Sequence, residues 1–204
     1  MEDFLPKSTD VIFKDEVSQD YGAWLKNPAN KFFLYSEGYK KAGEMLWTFC
    51  NENKFYSNTL IYPLVFTYRQ FLELKLKELI IMGYRYLNVE KDFADEHSLM
   101  KLWLTYRNEI LISIENIDRK ILDNVENIIS QFNTEDPKSM CFRYPVTRAP
   151  NRKESINRET IDLLNFKEVI DRLIYFFDWQ WDMISHYEDL KSEMIADMYR
   201  DYWN

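Results

Sequence analysis

The side chains best suited to acid–base work are two histidines, His97 and His186. His97 stands in "DEHSLMKLW", directly after Asp95 and Glu96 and just before an apolar run that reads as a helix. There it can bond a carboxylate or a backbone carbonyl and lock the helix entrance, or it can serve as a general acid or base. Upstream, "YRQFLELKLKELI" places Arg69, Glu73 and Lys77 at four-residue steps. On a helix these three share one stripe. On a solvated face they would form a weak ion-pair ladder; enclosed, they need partners. His97 and Arg143 are the candidates, and Arg69, Glu73, His97 and Arg143 are expected to form one polar cluster. Other chemistries fail on spacing. No two glycines stand within four residues of each other, so there is no phosphate loop. Cys50 and Cys141 form no metal-ligand pattern with the two distant histidines, and neither histidine has a Glu three residues before it. No metal and no cofactor are expected. Cys141 meets His97 only if folding brings them together.

Periodicity supplies the elements that must position these groups. Phe32, Phe33, Tyr35, Tyr39, Ala42, Leu46 and Phe49 mark a helix over residues 30–53, with Asn30 as its cap. Residues 57–83 read as the central helix, with Pro63 in its first turns and Gly83 as its stop. Ser98 opens a further helix to about Arg107. A stripe of Ile110, Ile114, Ile117, Ile121, Val125 and Ile128 or Ile129 predicts another over 108–131. Residues 132–164 lack a period and contain Pro137, Pro145 and Pro150, so an irregular insertion or short hairpin is expected. The last helix begins near Asn165 and runs towards the end. The expectation is an all-α, antiparallel helix bundle of at least five helices. It forms one domain over 1–204, with an N-terminal arm over 1–28 and any strand confined to 140–165.

Composition narrows the partners. The 204 residues are 46% hydrophobic and 29% charged, a folded rather than disordered balance. A net charge of −8 argues against a general nucleic-acid binder, and DNA is not expected as a partner. The charge is uneven: Arg143, Arg148, Arg152, Lys153 and Arg158 cluster in the insertion, whereas acidic residues dominate from Asp178 onward. These are two candidate partner surfaces. The opening "MEDFLPKSTD" is acidic and not apolar, and no apolar run is long enough to span a bilayer. No membrane contact and a cytoplasmic setting are expected.

Three motifs in order carry a family resemblance: "YRQFLELKLKELI" with Tyr68, Arg69, Glu73 and Leu74; "HSLMKLW" with His97, Leu99, Leu102 and Trp103; and "FRYP" from Phe142 to Pro145. With them, over roughly residues 60–180, the chain resembles the HEPN-like superfamily, small all-helical bacterial domains. The lysine of the first pattern falls ambiguously on Lys75 or Lys77. The resemblance implies a helical bundle, frequently a homodimer, linked to RNA cleavage, nucleotide binding or phage defence. Ribonuclease members carry an arginine four to six residues before a histidine. Here the nearest arginine upstream of His97 is Arg85, and upstream of His186 it is Arg172. The expected function is therefore a non-catalytic binding module. It would take a partner protein or an anionic ligand such as a nucleotide, in a phage-defence or toxin–antitoxin setting. The alternatives are a divergent metal-independent ribonuclease using His97, and a structural subunit docking through its C-terminal helix. For that docking the expected residues are Trp181, Tyr187, Met194, Met198, Tyr202 and Trp203, with a symmetric homodimer as the simplest partner.

Overall fold

The computed structural model describes residues 5–13, 20–25, 31–92, 95–148 and 150–202. They divide into two compact units, Met1–Lys31 and Phe32–Asn204. In the first, Lys7 N–H donates to Asp10 Oδ2 at 2.7 Å and Asp10 N–H returns to the Lys7 carbonyl at 3.0 Å, which closes a turn. Asn30, expected as a cap, lies outside the described residues.

The second unit is built from helices. They are α1 (Lys31–Glu52), α2 (Ser57–Tyr86), α3 (Leu99–Thr105), α4 (Ile112–Ile114), α5 (Arg119–Glu135) and α6 (Leu163–Tyr202), with a π-helical segment Tyr106–Leu111 joining α3 to α4. Among the described residues no strand occurs; a single antiparallel bridge pairs Val146 with Glu154 inside the irregular stretch. No described helix is long and apolar enough to cross a membrane. Helix α2 is the core: Leu64, Tyr68, Phe71, Leu72, Leu76, Leu79 and Ile80 are wholly excluded from solvent. Around it pack Leu102, Trp103 and Tyr106 from α3 and its continuation, Leu122, Val125 and Ile129 from α5, and Ile170, Phe177 and Ile184 from α6.

Three expectations need correction. Gly83 does not stop α2. A Cβ at that position would lie 2.3 Å from Ile110 Cγ2, so the glycine lets the π segment approach. The stop is Asn88, at φ 54°. Val89 N–H reaches the Tyr84 carbonyl (2.9 Å) and Asn88 N–H the Arg85 carbonyl (3.2 Å), the paired bonds of a Schellman end. The isoleucine stripe over 108–131 is also two elements. The chain turns extended at Glu115, and Asp118 caps α5 by accepting from Lys120 N–H at 2.9 Å.

The bundle is not wholly antiparallel. α1 opposes α2, since Ser36 meets Glu78 and Glu44 meets Tyr68. α3 opposes α5, since Ser98 meets Asn133 and Trp103 meets Glu126. But α6 runs parallel to α2, with Tyr68 against Phe166, Glu78 against Trp181 and Arg85 against Glu188. α3 is parallel to α2 as well, from Arg69–His97 to Tyr84–Glu109. After the end of α2 the chain comes back to the level of Arg69 by His97, whose carbonyl Arg69 reaches.

Candidate functional site

Four-residue spacing on α2 does put Arg69, Glu73 and Lys77 on one stripe, and the stripe is enclosed. Arg69 is 1% exposed, Glu73 2% and Lys77 6%. Glu73 Oε2 accepts from Arg69 Nη1 at 2.8 Å; its Oε1 accepts from Lys77 Nζ at 3.0 Å and meets His97 Nδ1 at 2.8 Å. Arg69 also donates to the carbonyl of His97 (2.6 Å) and, through Nε, to that of Asp136 (3.4 Å). One buried arginine thus ties together α2, the entrance of α3 and the end of α5. Burial pushes the Glu73 carboxyl up. The hydrogen bonds from His97, Lys77 and Arg69 outweigh that and hold it below its ordinary range.

His97 is the outlet of this cluster. Its side chain is 67% exposed although Nδ1 touches a buried carboxylate. An Nδ1–H donated to Glu73 leaves the lone pair on Nε2, which bonds no described residue. The helix entrance is fixed by its neighbours. Ser98 caps α3, accepting from Lys101 N–H at 3.4 Å. Glu96 accepts from the N–H groups of His97 and Ser98, each at 2.9 Å, and pairs with Lys101 Nζ at 2.7 Å. Lys101 and those N–H groups hold the Glu96 carboxyl down at about 2.

The irregular stretch supplies the facing wall. Asp136 Oδ1 accepts from Met140 N–H (2.6 Å) and Cys141 N–H (3.0 Å), which pins a turn containing Ser139 at φ 56°. Between this turn and His97 lies a groove of about 1110 Å³, whose lining includes Lys138, Met140, Tyr144, Arg148 and Arg152. Lys138, Arg148 and Arg152 make no ion pair with a described residue, whereas Arg158 pairs with Glu135. Cys141 also lines the groove, but burial and the Asp136 charge push its thiol up, away from the thiolate a nucleophile requires.

Arg143 does not join the polar cluster. Phe142 turns inward, 8% exposed, so its neighbour turns out. The Arg143 guanidinium lies over the rings of Tyr144 (5.3 Å) and Phe66 (5.6 Å) instead. It borders a second groove of about 790 Å³, on the side of Ser57 and Asn58. Two expected docking residues are also engaged within the chain. Trp181 packs on Phe33 and donates its indole N–H to Glu78 at 2.8 Å. Tyr187 donates to Glu115 at 2.7 Å and packs against Tyr86. Met194 and Met198 are exposed, at 67% and 71%. The side chain of Tyr202 and all of Trp203 lie outside the described residues.

A second buried cluster escaped the sequence reading. Lys75 Nζ, on a residue 1% exposed, sits 3.4 Å from Glu78 Oε2 and above the rings of Trp181 (5.5 Å) and Phe33 (5.9 Å). Ser36 Oγ donates to Glu78 Oε2 at 3.1 Å. Its trace in the sequence was the ambiguous phase of Lys75 in "ELKLKEL". Comparisons with protein-family models, curated proteins and solved structures return no match for this chain.

Proposed function

We propose that this chain is a non-catalytic, HEPN-like helical binding module whose groove beside His97 takes an anionic ligand of the nucleotide-phosphate class. The observation that carries the reading is the set of cations Lys138, Arg148 and Arg152, without an ion pair among the described residues, lining one groove of a chain with net charge −8. Guanidinium groups suit phosphate by charge and by fork geometry. Two further features support it. Among the described residues the one carboxylate in the groove's lining, Glu96, is already held by Lys101. The three motifs of the family resemblance also converge here, through Glu73, His97 and Tyr144. A bacterial phage-defence or toxin–antitoxin role is proposed on those motifs alone.

Anisotropy of a labelled single-stranded oligonucleotide, in low salt, tests the groove. Wild-type protein is expected to bind saturably, and the Arg148→Glu/Arg152→Glu variant to lose about tenfold or more in affinity. Equal binding by the two proteins would place the anion elsewhere or nowhere.

One observation favours a second reading. Glu73 behind Nδ1 and an unbonded Nε2 give His97 the geometry of a general acid or base. In that reading the chain is a metal-independent ribonuclease, and cleavage of total RNA disappears in His97→Ala. In the binding reading, RNA incubated with wild-type protein stays intact.

A further inference from the structure

Helix α6 outruns the bundle. It is parallel to α2 and locked to the end of it: Arg85 pairs with Glu188, and Lys191 Nζ donates to the Tyr86 carbonyl (2.6 Å) and to Asn88 Oδ1 (2.8 Å). α2 stops there. Residues 192–202 of α6 continue for about 16 Å at 1.5 Å per residue. The free turns carry Met194, Ile195, Met198 and Tyr199 exposed, and Glu193, Asp197 and Asp201 against Arg200. This is an acidic, methionine-rich helix end whose described side chains from Ser192 to Arg200 are all exposed.

The same molecule offers a matching surface. The groove beside His97 is basic at Lys138, Arg148 and Arg152, and apolar at Met140, Tyr144 and Val146. The chain cannot fill its own groove. His97 stands level with Arg69–Glu73, and the free end begins beyond Tyr86, about 25 Å further along the α2 axis. It points away from there along a continuous helix. Two free ends packed against each other would bring the acidic flanks of Glu193 and Asp197 together, an arrangement that like charges oppose.

We propose that the free end of α6 of one copy lies in the basic groove of a second copy and covers its His97. Exchanged reciprocally, the contact closes into a two-fold dimer. The ligand site and the dimer contact are then one surface, so anionic ligand and helix end compete for it. The proposal rests on the groove being an anion site, as argued above.

Charge exchange tests it by sedimentation velocity in low salt. Wild-type protein is expected to dimerise and to lose at least about tenfold in affinity in high salt. A groove variant, Arg148→Glu/Arg152→Glu, and a helix-end variant, Glu193→Lys/Asp197→Lys, should each be monomeric alone. Mixed, they should form a heterodimer, because both contacts are complementary again. All four substitutions are on exposed side chains, and helical circular dichroism checks the fold. A wild-type monomer throughout, dimers of wild-type strength in either variant, or no recovery on mixing would each overturn the docking. The helix-end variant keeps an intact groove. If it binds oligonucleotide while wild type fails to dimerise, only the docking is wrong; if it binds none, the anion site is wrong too.

Discussion

Helix α2 buries two charge clusters on nearly opposite sides, and they end differently. The Lys75–Glu78 cluster is closed by aromatic rings: Phe33 and Trp181 cover the ammonium, and Ser36 and the Trp181 indole fill both carboxylate oxygens. The Arg69–Glu73–Lys77 cluster is equally buried but opens to solvent through His97, two-thirds exposed beside a basic groove. Buried charge alone therefore marks no site. A closed cluster joins α1, α2 and α6; an open one also presents an imidazole ring whose orientation the buried carboxylate dictates.

The largest expected effect separates the clusters by what each carboxylate compensates. Glu73 neutralises Arg69 and Lys77 together, so Glu73→Ala takes the nearest carboxylate from two buried cations at once, Arg69 keeping Asp136 only at 4.0 Å, and should cost about 3–5 kcal/mol in urea unfolding. Glu78→Ala should cost less, because Lys75 keeps Asp178 at 3.8 Å and its two rings. Equal losses would erase the distinction.

Next come the two residues that end the clusters. Trp181→Ala should cost about 3–5 kcal/mol, since it removes a half-buried indole packed on Phe33 and its bond to Glu78. His97→Ala should cost less than about 1 kcal/mol, because the ring is mostly solvated, yet it should weaken ligand binding at the groove. Thermal melts paired with oligonucleotide anisotropy read both. A large stability loss at His97 would make it a structural residue.

Acid sensitivity gives a smaller and more selective effect. Glu73 is held below its ordinary value when folded. Its stabilisation is then fully present above the unfolded value of about 4.3 and is lost as pH falls through the folded one. Glu73→Gln should flatten the stability–pH curve in that window. An unchanged curve would mean that the carboxylate gains nothing from its three partners.

The helices were legible because periodicity reports burial directly. Ser98 was legible as the opening of a helix, and Glu73 as an arginine partner, because both relations are local. Arg143 was misplaced because residues 136–162 have no period, and only the inward turn of Phe142 decides which way its neighbour faces. Gly83 reads equally as a stop or a close approach until Ile110 is seen beside it. The parallel run of α2, α3 and α6 has no local signature, since amphipathic stripes are the same in either direction. The break at Glu115 had one available signal, Asp118 as the cap of α5.

The central claim is that an anion occupies the basic groove beside His97. Having two histidines in the whole chain makes the ring nitrogens directly observable. Two-dimensional 1H–15N spectra of the imidazoles, recorded while titrating pyrophosphate and then a short oligonucleotide, test it most directly. The account predicts saturable shifts of the His97 nitrogens with each, absent in Arg148→Glu/Arg152→Glu, while those of His186 stay in place. A His97 signal that does not move, or two histidines that move alike, would contradict it.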